Sequence, residues 1–252
     1  EFAKDPRQLD IKSVAQGAAG RAVSYLGARS SASCKTACVL DRRVVSEILS
    51  HFAGAFFADA AYKKKSIFAD KIGSRIYSPL ISIIDDVTLK DCCSVPCDAE
   101  GVPSLRVAVV DGGVLTTFLS DSFYAKKTGA QSTGSSVRQQ ITQVPKIGIR
   151  NLYILPGVLD RPGLIKEMGD GLLVNDVMGL HMANQVTGDF SMGAAGFLVK
   201  NGQTDYAVKG ITIAGNIHEL FRRVKGIGSD LKFWHETGAP SILLEEIAIS
   251  GE

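Results

Sequence analysis

Residues 196–215 read GFLVKNGQTDYAVKGITIAG, and the Asn201-Gly202 pair sits between two strand-forming runs. A two-residue turn of this kind needs backbone with positive φ, which Asn and Gly tolerate, and its twist matches that of antiparallel strands. The stretch is therefore a hairpin, and it commits the chain to antiparallel sheet. LRVAVVDGGVLTTFL (105–119) repeats the signal around Asp111-Gly112. Further strands are expected at ACVL (37–40), IYSPLISII (76–84, ended by Asp85-Asp86), NLYIL (151–155) and ILLEEIAI (242–249). Hairpins outnumber crossovers, so the fold class is α+β, with largely antiparallel sheets and a few packed helices. No short period repeats, which excludes a solenoid.

The helices are read from apolar spacing. Over 42–58, Val44, Val45, Ile48, Leu49, Phe52 and Phe56 recur on one face, predicting a helix whose stripe joins the core. Residues 10–26 predict another, with Ile11, Val14, Ala18, Ala22 and Tyr25 in line; Gly17 and Gly20 weaken it but permit close packing. Asp160, with Pro162 behind it, predicts the start of a short helix. Asn216, with Glu219 three residues on, predicts another. Residues 126–150 are polar and rich in Gly and Ser without periodicity, as in a mobile surface loop.

Composition narrows the function. Lys and Arg total 28 against 26 Asp and Glu, a formal charge of +2, and the bases are scattered. With no aromatic–basic patch evident, nucleic acid is an unfavoured partner. No apolar run is long enough to span a membrane. EFAKDPRQLD lacks the basic and apolar regions of a signal peptide, so a cytoplasmic location is expected, with an N-terminal domain missing from this chain. Cys34, Cys38, Cys92, Cys93 and Cys97 are odd in number and lack CxxC spacing, which favours reduced thiols over a zinc site.

Several residues invite a chemical reading. Glu47 and His51 stand one helical turn apart in SEILSHFAGAFFADA (46–60) but supply two zinc ligands at most. Asp85, Asp86, Asp98 and Glu100 could hold a hard cation, and serve equally well as turn residues. There is no complete GxGxxG and no Gly-x-Ser-x-Gly elbow, and His181, His218 and His235 lie in separate segments. The most distinctive stretch is NQVTGDFSMGAAGFLVKNG (184–202), dense in small residues. It predicts either close strand-to-strand packing or a groove where an extended peptide adds as a strand.

That stretch, followed by AVKGITIAGNIHEL and IGSDL, resembles the C-terminal part of the TldD/PmbA family, whose older label is modulator of DNA gyrase. SIFADKIGSRIYSPLISIIDD (66–86), DAEGVPS (98–104), GGVLTTFLSDSFYAKKTGAQSTG (112–134) and NLYILPG (151–157) fit it in the same order, so the resemblance covers nearly the whole chain. It implies one of two branches. TldD-type members carry His-Glu-x-x-x-His on a helix and a later cysteine, together a zinc peptidase site. PmbA-type members, also called TldE, lack them, and the two types form a heterodimeric protease acting on small or unfolded peptides. Counted back from Ser66-Ile67-Phe68 without a gap, the three motif positions fall on Leu49, Ser50 and Gly54, and no cysteine follows Leu231.

The resemblance thus implies a PmbA-type subunit without catalytic residues or cofactor of its own. Zinc is expected only in a TldD-type partner, and the subunit would close the chamber and position unfolded peptides. Asn184, Thr187, Gly188, Asp189, Phe190 and Ser191 are the candidate peptide-binding residues. The alternatives are a stand-alone homodimeric hydrolase using Asp85, Asp86, Asp98 and Glu100 or the cysteines, and a gyrase-modulating binding protein. Self-pairing of the isolated chain is compatible with each.

Overall fold

The computed structural model describes residues 7, 9–89 and 92–251. In chain order the elements are α1 (Ile11–Ser24), β1 (Cys34–Leu40), α2 (Arg42–Phe52), α3 (Ala58–Tyr62), β2 (Ile83–Asp86), β3 (Arg106–Asp111), β4 (Val114–Leu115), α4 (Ser122–Thr128), β5 (Ser136–Val137), β6 (Lys146–Ile147), β7 (Leu152–Ile154), α5 (Arg161–Met168), β8 (Gly171–Met178), β9 (Asp189–Lys200), β10 (Gln203–Asn216), α6 (Ile217–Arg222), β11 (Val224–Ile227), β12 (Lys232–Trp234), β13 (Thr237–Ala239) and β14 (Ile242–Ser250).

The first sheet runs β1-β8-β9-β10-β14-β11, and β1 also pairs with β14. Its hydrogen bonds therefore return on themselves through β1, β8, β9, β10 and β14, closing most of the sheet into a ring. Closure removes the free edges that would otherwise template aggregation. The β1–β8 ladder is parallel and the others in this sheet are antiparallel. The second sheet runs β12-β13-β7-β2-β3-β4, with only β13–β7 parallel. Helix α2 packs against β8 of the first sheet and β13, β12 and β7 of the second, so the two sheets share one helix and one large core.

The Asn201-Gly202 hairpin forms as expected, with φ +50° and +72° at its two turn residues and β9 and β10 as its arms. The second hairpin also forms, with Gly112 and Gly113 both at positive φ. Asp160 and Asn216 cap α5 and α6 by accepting from Gly163 N and from His218 and Glu219 N.

Three expectations need correction. The helix over 42–58 stops at Phe52 and passes through a 3-10 turn. Backbone around Phe57 is recruited instead by Leu119: Ala58 N donates to the Leu119 carbonyl and Leu119 N to the Phe56 carbonyl. A pairing with a segment distant in sequence thus takes backbone groups that a continued helix would use. The strand over 76–84 shrinks to Ile83–Asp86, because Pro79 has no N–H for a ladder and Ile81 N closes a turn onto the Ser78 carbonyl. Asp85 and Asp86 lie inside the strand rather than ending it. Finally, α1 forms but buries none of its residues. Anchors follow it: the Tyr25 hydroxyl donates to Asp176 at 3.0 Å and its ring stacks on Phe197, and Arg29 N donates to the Ala207 carbonyl. Residues 126–150 contain the end of α4 and the short β5–β6 ladder.

The core holds a buried polar group of unusual chemistry. His218 is 2 % exposed and sits among Phe52, Phe68 and Tyr77, whose hydroxyl lies 2.9 Å from Nδ1. Its Nε2 is buried without a hydrogen-bond partner. Burial pulls the imidazole pKa down from 6.5 to about 4; Arg222 and Lys71 add repulsion, and Asp189 opposes it. The unfolded chain therefore binds this proton more readily than the folded one. The stabilisation is complete above pH 6.5 and is lost as pH falls toward 4, by on the order of 3 kcal/mol. Urea unfolding at pH 7 and pH 4.5 should show this loss in the wild type. His218→Phe, which keeps an aromatic ring there, should lose distinctly less.

Candidate functional site

Helix α2 has two faces. Asp41 starts it by accepting from Arg43 N, and Val44, Val45, Ile48, Leu49 and Phe52 are buried along one side. The opposite side carries Glu47, Ser50 and His51, with Gly54 one turn on, a spacing that aligns them on one surface. This surface floors a cleft made of two adjoining cavities of about 530 Å³ and about 540 Å³, which share Ser50, His51 and Glu236. Leu180, His181 and the turn at 234–237 wall the first, and residues from 137–149 wall the second.

The cleft wall is locked to its floor. Ser46, fully buried, donates its hydroxyl to Thr237, which fixes the β12–β13 hairpin against α2. His235, at the tip of that hairpin, holds φ +54°. A side chain in this left-handed region costs roughly 1–2 kcal/mol, a strain that a two-residue turn normally avoids with Gly or Asn. The sequence Trp234-His235-Glu236-Thr237 carries no turn residue, which is why this wall was not legible beforehand.

Of the three positions that the resemblance sets against the zinc motif, Ser50 and Gly54 are exposed on the cleft, whereas Leu49 is 2 % exposed and points into the core. The donors on this face do not fit a zinc ion. Glu47 accepts from Arg43 Nε at 3.0 Å, and His51 Nε2 lies 3.4 Å from the Ala183 carbonyl. Ser50 and Gly54 bring a hydroxyl and a hydrogen where a metal site wants imidazole or carboxylate. Among the described residues no three His, Cys, Asp or Glu side chains come together in a way that could hold an ion.

The candidates at 184–191 form a self-contained turn. Asn184 accepts from Val186 N and Thr187 N, and Asn184 N donates to the Asp189 carbonyl. Asn216 Nδ2 donates to the Thr187 carbonyl and to Asp189, both at 2.8 Å, and Thr187 Oγ1 donates to Asp189 at 2.7 Å. These bonds hold the Asp189 carboxyl below its ordinary range. Gly188, at φ +87°, lies so close to His218 that a Cβ would overlap the ring. Phe190 is buried and Ser191 exposed. The polar groups of this turn thus largely satisfy one another. Along β9, Gly193–Val199 pairs with β10 on one side and β8 on the other, leaving no edge there for an added strand. The small residues serve the strand-to-strand packing: at Gly196 a Cβ would overlap the Leu173 carbonyl oxygen.

The remaining candidates anchor loops. Asp85 accepts from Arg150 N and Asn151 N, and burial nevertheless pushes its carboxyl up. Asp86 accepts from Thr88, Asp98 from the backbone N–H groups of Glu100, Val102 and Ser136, and Glu100 from Ser122 N. Carboxylates so committed to backbone donors fit the turn-residue reading. Cys38 is buried, which raises its thiol pKa, and Cys34 is exposed. Cys92, Cys93 and Cys97 line a shallow hollow with Arg138 and Arg150.

Comparison with known proteins places this geometry. Residues 33–251 match the family model of the PmbA/TldA metallopeptidase C-terminal domain. The chain is 34% identical over 235 residues to the Metalloprotease PmbA of Escherichia coli O157:H7, covering 93% of this chain and 50% of that protein. Among solved structures, a Thermotoga maritima protein described as a candidate modulator of a DNA gyrase superposes with a TM-score of 0.93 at 32% identity, over 99% of this chain and 57% of that one. TldE from Thermococcus kodakarensis shares the fold, with a TM-score of 0.88 at 24% identity over 97% and 56% of the two chains. The chain spans about half the length of the curated relatives it matches. No helix among the described residues is long and apolar enough to cross a membrane. On the family model and the identity to PmbA, the chain belongs to the PmbA/TldD metallopeptidase family.

Proposed function

We propose that this chain acts as the non-catalytic, PmbA/TldE-type half of a two-component zinc peptidase. The TldD-type partner supplies the metal, and the α2 cleft lines the route of an unfolded peptide. The observation that carries this reading is the state of the α2 floor. The cleft-facing side of α2 carries Ser50 and Gly54, and its Glu47 and His51 are already engaged with Arg43 and with the Ala183 carbonyl. Such a floor has neither a ligand set nor a free general base. It does have the shape of a binding channel, with polar walls and room for an extended chain.

Mixing the purified protein with a TldD-type partner tests the reading. Peptide cleavage by the mixture should exceed that of the partner alone by roughly tenfold, in line with a substrate that must be positioned before reaction. Ser50→Trp fills the cleft from the exposed face of α2 and should remove most of that gain while the two chains still co-elute. Equal cleavage by the partner alone would end the proposal.

A further inference from the structure

Three histidines far apart in sequence meet at one cavity. His51 lies on α2, His181 in the 3-10 turn Leu180–Met182, and His235 at the tip of the β12–β13 hairpin. All three line the first cavity of the α2 cleft, about 530 Å³, which adjoins the second at Ser50, His51 and Glu236. Among the described residues no three such groups are placed to hold an ion. Arg43 and Glu47, also in the lining, pair with each other at 3.0 Å. What the three rings offer as they stand is hydrogen bonding, since a neutral imidazole has one donor and one acceptor nitrogen. His51 spends Nε2 on the Ala183 carbonyl, 3.4 Å away.

His235 is held there at a cost. Its φ of +54° is one that Gly or Asn would adopt with less strain, and the residue is exposed, so core packing does not demand an imidazole. Two other described residues with side chains have positive φ, and each has a local reason. Asn201 is a turn former in its hairpin, and Lys64 directly follows the last capping residue of α3, where helices commonly close in the left-handed region. His235 has no such local reason. Backbone strain kept at a residue that lines a cleft points to a use for its side chain.

We propose that His51, His181 and His235 form a subsite that hydrogen-bonds the main chain of a peptide in the cleft, and that His235 keeps its strained backbone for this contact. The role rests on the peptidase reading and names the part of the peptide that is gripped. Rings that both donate and accept match the N–H and C=O groups that every unfolded peptide carries. Such a grip needs no particular side chain on the peptide. The Ser46–Thr237 bonds hold the hairpin against α2, so the His235 ring is presented from a fixed wall.

The experiment follows cleavage of an unstructured peptide by the purified chain mixed with a TldD-type partner, with urea unfolding of the chain alone beside it. His235→Gly relieves the backbone and removes the ring. It is expected to raise KM about tenfold while kcat stays within about twofold, the mark of binding lost equally from ground and transition states. The urea midpoint should not fall. His235→Asn tolerates the left-handed region and keeps a donor and an acceptor, so it should recover most of the loss. His181→Ala should raise KM in the same way. The effect of His235→Gly should be alike for copies of the peptide carrying Lys or Glu. The subsite is overturned if, with the wild-type gain in cleavage in place, either histidine variant leaves KM unchanged. It is equally overturned if His235→Gly lowers the urea midpoint as loss of a structural residue would, if His235→Asn recovers nothing, or if only the Lys or only the Glu peptide responds. Absence of any gain from the wild-type chain would instead overturn the peptidase reading, and this subsite with it.

Discussion

Installing histidine at Leu49 is expected to destabilise the protein severely rather than to restore a metal site. The side chain is 2 % exposed and lies on the core face of α2 with Val45, Ile48 and Phe52. Losing a buried leucine costs roughly 2–5 kcal/mol, and an imidazole placed there adds buried nitrogens with no partner, so about 4 kcal/mol of destabilisation is expected. That is a large part of the stability of an ordinary domain. Ser50→Glu and Gly54→His alter only the exposed face and should leave the urea midpoint nearly unchanged. The triple variant Leu49→His/Ser50→Glu/Gly54→His should melt early and bind no stoichiometric zinc by elemental analysis. A stable triple variant with one zinc per chain would show that α2 can turn Leu49 to the cleft, and would refute this account of the floor.

Gly196→Ala should be nearly as damaging, for a different reason. At this position β9 passes β8 beside a bulge, where the register shifts between Val174 and Asp176. A methyl group would overlap the Leu173 carbonyl oxygen and crowd Val174 Cα, both of them backbone. A flexible side chain could swing away, but a strand paired on both sides cannot move without breaking ladder bonds to β8 or β10. Overpacking of this kind costs typically 1–3 kcal/mol, and the rigid neighbours put the expected loss at the upper end, about 3 kcal/mol. Gly193→Ala is the internal control: its Cβ would meet Met178 atoms at 3.5 Å or more, ordinary contact distance. Equal denaturation midpoints for the two variants would show that β8 yields freely at its bulge.

Much of this architecture was legible wherever the information is local. Asn201-Gly202 announced its hairpin because positive φ is a property of the turn residues themselves; the second hairpin was expected around Asp111-Gly112 and turns one residue later, at Gly112-Gly113, with Asp111 still in β3. Asp160 and Asn216 announced α5 and α6 because a cap bonds to N–H groups two or three residues away. The apolar stripe of α2 was legible for the same reason, and with it the fact that Leu49 belongs to the core face. Strands β11–β13, three or four residues each, escaped notice because strands so short are defined by partners far away in sequence, and β8 because it buries Gly171–Val174 in succession and so shows no alternation.

The candidate site divides along the same line. That Leu49, Ser50 and Gly54 stand at the positions of a zinc helix is what the family resemblance implies; residue identity adds only that the side chains of Leu49 and Gly54 have no atom that could coordinate a cation. Which of them face the cleft, that Glu236 and the strained His235 form its wall, and that Asn216 ties down Asn184–Asp189 could be settled only by tertiary structure. Backbone geometry and chemical identity travel with each residue. Burial, pairing and the convergence of distant side chains exist only after the sheets close around α2.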